Sequence, residues 1–157
     1  MPGNRPPRLR NFTYVGLHRY HVRVCTWHRR RYFTEDALAA SVREQLLQFA
    51  NVCGFAIPAY CIMYDHVHLL AEATTATADL MQFIAGWKQR TAFVFRSVRC
   101  ECLWQPGFFD RVLREQESSR VVARYIVENP VRAGLATVAN QYPYAYCEWS
   151  DDPCFWD

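Results

Sequence analysis

Residues 63–70 read MYDHVHLL, and the arrangement of the rest of the chain turns on how this stretch is understood. On a strand successive side chains alternate, so His66 and His68 project from one face while Val67 points to the other. Their Cα atoms then lie about 6.6 Å apart, and two imidazoles at that spacing can converge on one cation. Val67 belongs on the face covered by helices. A register slip of one residue would bury both histidines and expose the valine. The same pair reads equally as surface decoration or as two hydrogen-bonded side chains, and a metal site needs a third donor and a group for the ion to act with.

Working outward, FAIPAYCIM (55–63) precedes the pair as a second strand, joined to it by a tight turn at Tyr64-Asp65. HRYHVRVCTWH (18–28) alternates, with Tyr20, Val22, Val24 and Thr26 on one face and His21, Arg23, Cys25 and Trp27 on the other. Between these strands, Leu38, Val42, Leu46 and Phe49 recur at helical spacing, with Thr34 as the expected N-cap and Gly54 as the stop. A second helix carries Leu80, Ile84, Trp87, Thr91 and Val94 along one stripe. CLWQPGFFDRVL (102–113) reads as a turn and a further strand, and a third helix runs from Ser118 or Ser119 to about Glu128, closed by Pro130. The order β-α-β-β-α-β-α predicts an α+β fold, a ferredoxin-like antiparallel sheet with helices packed mainly on one face.

The 157 residues, 51% of them hydrophobic, suit one packed domain, with a basic arm over 1–18, a body over 19–150 and an acidic tail over 151–157. RPPRLRNF (5–12) reads as extended, because two prolines forbid regular helix. No run approaches the ~20 apolar residues of a membrane span, and the first residues lack a secretory signal's apolar segment, so a soluble cytoplasmic protein is expected. Seven cysteines without a C-x-x-C pair fit neither a disulfide framework nor a four-cysteine zinc site, and most read as small buried hydrophobes. The net charge is +3, yet the first 34 residues hold eight arginines and no acid. That clustering reads either as a nucleic-acid contact or as a solvated face.

The third helix offers partners for the histidines. Tyr125 and Asn129, in YIVENP (125–130), are four apart and share a face. The Asn129 amide oxygen can join two imidazoles around a divalent ion, and the Tyr125 phenol can attack a phosphorus held there. Alternatively, Tyr125 edges the core beside Val121, Val122 and Ile126, and Asn129 is a turn residue before proline.

At these residues the chain resembles a known family. MYDHVHLL is similar to the H-hydrophobe-H (HUH) motif of single-tyrosine transposases, and YIVENPVRAGL to the tyrosine helix of their REP-associated branch. RYHVRVCTWHRRRYF, LWQPGFFDRVLR and YPYAYCEWS resemble the flanking stretches, in the same order, from about Arg19 to Ser150. The chain departs from the family at Tyr64-Asp65, where proline and then asparagine or aspartate are usual. It also shows no obvious counterpart of the N-terminal motif that part of the family uses to read hairpin flanks. The resemblance implies a ferredoxin-like core that cuts and rejoins single-stranded DNA beside hairpin (repetitive palindromic) elements with Mg²⁺ or Mn²⁺. It implies Tyr125 as the nucleophile forming a 5′-phosphotyrosine, His66 and His68 as metal ligands, and Asn129 in the place of the third ligand. A monomer or homodimer at the nucleoid would fit such work.

For DNA contacts the basic segment comes first, through Arg8, Arg10, Arg19, Arg23, Arg29 and Arg30, followed by Lys88 and Arg90 on the second helix. Trp87 reads as core by its spacing, and Trp27 as a platform for an unpaired base. Two rival readings stay open: a domesticated module that binds structured DNA without transposing, and a small scaffold with no DNA partner. Relaxases and replication initiators share the HUH chemistry, but this chain is short and has no second tyrosine in ARYIVENP.

Overall fold

A computed structural model of the chain describes residues 8–157, so Arg5, Pro6 and Pro7 of the expected arm lie outside the described residues. Five strands form one antiparallel sheet: β1 (Arg19–Cys25), β2 (Phe55–Ile62), β3 (His66–Ala73), β4 (Phe109–Val112) and β5 (Ala145–Cys147), in the order β4-β1-β3-β2-β5. The β2–β3 hairpin closes through Met63 N–H donating to the His66 carbonyl (2.8 Å), so Tyr64-Asp65 makes the turn without the family's proline. On its other side β3 pairs with β1, Val24 opposite Val67 and Arg23 opposite His68.

The alternation along these strands sorts the molecule into two layers. Tyr20, Val22, Val24, Val67, Leu69 and Ala71 face α1 (Asp36–Val52) and α2 (Leu80–Arg99), packing on Val42, Leu46, Phe83, Ile84 and Trp87. Trp87 is fully buried and donates its indole N–H to the Val42 carbonyl (3.3 Å). Truncating such a residue costs about 3–5 kcal/mol, and its place in the core answers the choice its spacing left open. On the opposite face α3 (Ser119–Val127) lays Val122, Ala123 and Ile126 on Ala59, Cys61 and Leu70. The two long helices thus share one face, as expected, and the tyrosine helix takes the other.

Several boundaries differ from expectation for identifiable reasons. Thr34 sits in a 3-10 turn and donates its hydroxyl to the Arg31 carbonyl (3.0 Å), so Glu35, not Thr34, occupies the N-cap of α1. Phe95 is buried and Val94 exposed, because four residues rather than three past Thr91 return to the inward stripe. The third helix ends at Val127, close to the expected Glu128, but Pro130 lies in the first turn of a further short helix, α4 (Asn129–Arg132), where no N–H is needed. Cys25, Cys61 and Cys147 are buried, whereas Cys100, Cys102 and Cys154 are exposed; all seven are free thiols. Residues 151–157 fold back on α3, with Phe155 buried in the second cluster and Arg124 donating to the Trp156 carbonyl (2.7 Å).

Gly54 turns the chain from α1 into β2 at φ +76°, and a Cβ there would come within 2.7 Å of the Thr75 hydroxyl. Gly54→Ala should therefore lower stability by about 1–2 kcal/mol, the cost of a left-handed non-glycine residue. A fall in the urea midpoint at unchanged m-value is the expected result.

Candidate active site

Three elements deliver the functional side chains. β3 supplies His66 and His68, β1 supplies His21 and Arg23 on the same face, and α3 brings Tyr125 across from above. The entry to α3 is fixed by Arg19, whose guanidinium donates to the carbonyls of Arg114 (2.8 Å) and Glu117 (2.9 Å) and to the Ser119 hydroxyl (2.9 Å). Val122 and Ile126 are buried while Tyr125 remains 49% exposed, so Tyr125 stands off the core at the helix margin. Its ring meets the His21 ring edge-on at 5.7 Å and the His68 ring at 6.3 Å between centroids. The tyrosine helix thus lies over the histidines of its own chain. Arg132 stacks on the Tyr125 ring at 4.4 Å and donates to the Tyr125 carbonyl.

The imidazoles are held from behind. Asp65 lies 2.6 Å from His66 Nδ1, and because a carboxylate only accepts, that nitrogen carries the proton. Asp65 is itself gripped by Arg29 (2.9 Å). His68 Nδ1 lies 3.0 Å from His21 Nε2. Among the described residues the Nε2 atoms of His66 and His68 have no protein partner, so both can offer a lone pair outward. Asn129 donates its amide to the carbonyls of Tyr125 (3.0 Å) and Ile126 (3.1 Å), leaving its Oδ1 unused among the described residues. Among these residues no three His, Cys, Asp or Glu side chains gather to hold an ion, so a cation bound by the histidines needs a donor of another kind, such as an amide oxygen.

A cavity of 150 Å³ opens beside the histidines, lined by His21, Arg23, His68, Phe109, Asp110, Arg111 and Tyr125. Arg23 lies over the Phe109 ring at 4.3 Å, and among the described residues its buried Nε has no hydrogen-bond acceptor. A buried guanidinium nitrogen without an acceptor is costly, and Arg23 brings its positive charge to the cavity wall.

Of the basic residues singled out by sequence, Arg23 and Arg29 reach the histidines, while Arg19 holds the entry to α3. Arg8 pairs with Asp110, Arg30 with Glu101, and Lys88 donates to the carbonyls of Gln105 (2.8 Å) and Gly107 (2.6 Å). Arg90 lies over Phe49, on the side of α1 and α2, Arg10 is exposed, and Trp27 is half-buried against His28. Sequence reasoning missed His21, Arg111, Arg132 and the Asp65 support of His66. The alternation of β1 had already placed His21 beside Arg23, and only the pairing register was lacking.

Burial, reinforced by His66, His21 and Arg23, pushes His68 down to about 2; burial, then Arg111 and Arg23, takes His21 to about 4. Burial also lowers His66, against the opposing pull of Asp65. All three are neutral at pH 7, as metal ligation requires. Below the ordinary histidine value of ~6.5 the unfolded chain takes up protons that the fold refuses, so stability must fall as pH drops from there toward 4, with no contribution above. Replacing His21 and His68 together by glutamine should flatten the slope of unfolding temperature against pH in that window.

A family profile described as "Transposase IS200 like" matches residues 14–129. The REP-associated tyrosine transposase of Escherichia coli K12 is 21% identical over 133 residues, covering 81% of this chain and 79% of its own length. A Haemophilus influenzae protein provisionally given the same description is 27% identical over 150 residues, covering 87% and 82%. The solved structure of a REP-associated tyrosine transposase bound to a REP hairpin superposes with a TM-score of 0.75 over 89% of this chain and 82% of its own, at 18% identity, a likeness of fold. With the family profile spanning 116 of the 157 residues and both strand histidines and the helix tyrosine inside it, the chain belongs to the IS200-like transposase family and is similar within it to the REP-associated tyrosine transposases.

Proposed function

We propose that this transposase cuts and rejoins single-stranded DNA beside hairpins, using Tyr125 as the nucleophile and Mg²⁺ or Mn²⁺ held by His66, His68 and Asn129. The observation that carries the reading is the approach of the Tyr125 ring to His68 across a cavity that also contains Arg23, all within one chain. The hairpin in the structure of the related transposase supports the choice of substrate.

The donor set fits such an ion. The Nε2 atoms of His66 and His68 and the amide oxygen of Asn129 would hold it, three neutral donors of the kind a divalent ion accepts. When bound, the ion supplies charge neutralisation on the scissile phosphate and orients it for in-line attack. The protein does the rest. Arg23, on the cavity wall over the Phe109 ring, offers its positive charge to a phosphate oxygen. Tyr125 Oη bonds to phosphorus, the P–O3′ bond breaks, and its electron pair leaves on O3′, which takes a proton while the phenolic proton passes to solvent. The 5′-phosphotyrosine keeps the energy of the phosphodiester, so the free 3′-hydroxyl can reverse the step without ATP. Arg29 and the exposed Arg10 are the remaining candidates for backbone contact outside the cavity, and Trp27 for base stacking.

Tyr125→Phe should abolish the covalent protein–DNA adduct on denaturing gels, with hairpin affinity within about threefold of wild type; an adduct that persists would end the assignment of the nucleophile. His66→Ala with His68→Ala should remove metal-dependent cleavage by at least about a hundredfold, and unchanged cutting would count against the ligand set. Hairpin binding by wild-type protein with no adduct under any divalent ion would identify a binding module instead.

A further inference from the structure

His21 is not among the HUH pair, is largely shielded from solvent, and has no role in the chemistry above, yet it makes one specific contact: its Nε2 lies 3.0 Å from His68 Nδ1. It reaches there diagonally. His21 is paired with Leu70 across the β1–β3 ladder, and His68 with Arg23, so the two imidazoles meet on the open face between adjacent rungs.

Two neutral rings in such contact share one hydrogen, and its owner decides what His68 can do. If His21 donates, His68 must carry its own proton on Nε2, which then has no lone pair for a cation. If His68 donates from Nδ1, its Nε2 is left with a lone pair facing outward, in the same state that Asp65 imposes on His66. The second arrangement makes the two ligands alike: each ring is protonated at Nδ1, with an acceptor behind it and a bare Nε2 in front. Metal-binding histidines are commonly oriented in this way by an acceptor on the second nitrogen.

We infer that His21 is a positioning residue that accepts the Nδ1–H of His68 and so holds that ligand in its metal-competent tautomer. This rests on the metal reading given above, and it makes His21 the counterpart on β1 of Asp65 in the hairpin turn. A neutral acceptor suits this position. His21 has Arg23 beside it on its own strand and Arg111 opposite it on β4, so it supports His68 without adding a charged group to compete for those cations.

The test separates the two claims. In metal-free wild-type protein, nitrogen-15 correlation spectra of the imidazoles should show His68 protonated at Nδ1; protonation at Nε2 overturns the inference whatever the metal does. In a Tyr125→Phe background, titration with Mn²⁺ followed by electron paramagnetic resonance should show His21→Phe binding about ten- to a hundredfold more weakly. His21→Gln, whose amide oxygen reaches the place of Nε2, should recover most of that loss. Equal Mn²⁺ affinity for wild type and His21→Phe overturns the role of His21 while leaving the metal site standing. If wild type itself takes up no Mn²⁺, the metal reading fails, and the tautomer spectra still decide whether His21 sets His68. Unfolding midpoints for both variants exclude a loss of fold, and should the phenylalanine variant not fold, the glutamine variant and the spectra carry the test.

Discussion

The fold and the site both depend on the register of β1 against β3. Val24 opposite Val67 puts apolar side chains under α1 and α2, and because the strand period is two, it leaves His66 and His68 on the other face with His21 and Arg23. A slip of one residue would drive two imidazoles into the core and strip the opposite face of both histidines at once. The core therefore enforces the site: the apolar contacts that stabilise the sheet are the same ones that forbid the histidines any other direction.

The opposite face is only partly roofed. α3 packs on β2, β3 and β5, and over the other part of the face lies the cavity that His21, Arg23, Phe109 and Arg111 share with Tyr125. The position of the tyrosine helix is thus a compromise between burying Val122 and Ile126 and keeping Tyr125 at the edge, and Arg19 fixes where the helix begins. Arginine works in two ways around this site. Arg19 satisfies backbone carbonyls of a loop and so acts as a strut, whereas Arg23 lines the cavity.

Much of this was legible in the sequence. The alternation of 18–28 and 63–70 gave the faces of β1 and β3, the helical stripes gave α1 and α2, and the four-residue spacing set Tyr125 and Asn129 one turn apart. What the one-dimensional pattern could not carry was pairing. Nothing in the sequence says that His21 reaches His68 and not Leu70, its partner in the ladder, or that Lys88 caps carbonyls seventeen and nineteen residues on. Charge clustering marked the basic segment but could not separate arginines that hold loops from those that face the cavity, because that depends on which carbonyls or carboxylates come within reach. Boundaries failed where a side chain found an unforeseen partner, as Thr34 did at the Arg31 carbonyl. Asn129 does the turn-residue work that its place before proline suggested, through its amide nitrogen, and its oxygen remains available for the other role.

Residues 149–157 look remote from the chemistry in sequence, yet Phe155 sits in the same apolar cluster as Ile126, Trp156 accepts from Arg124, and Asp152 pairs with Arg120. Tyr125 is carried by a helix braced from behind by this segment, with the braced residues Arg124 and Ile126 on either side of it in the chain. Sequence change in 149–157 therefore acts on the placement of Tyr125 through leverage on the helix axis, with no residue of the segment lining the cavity.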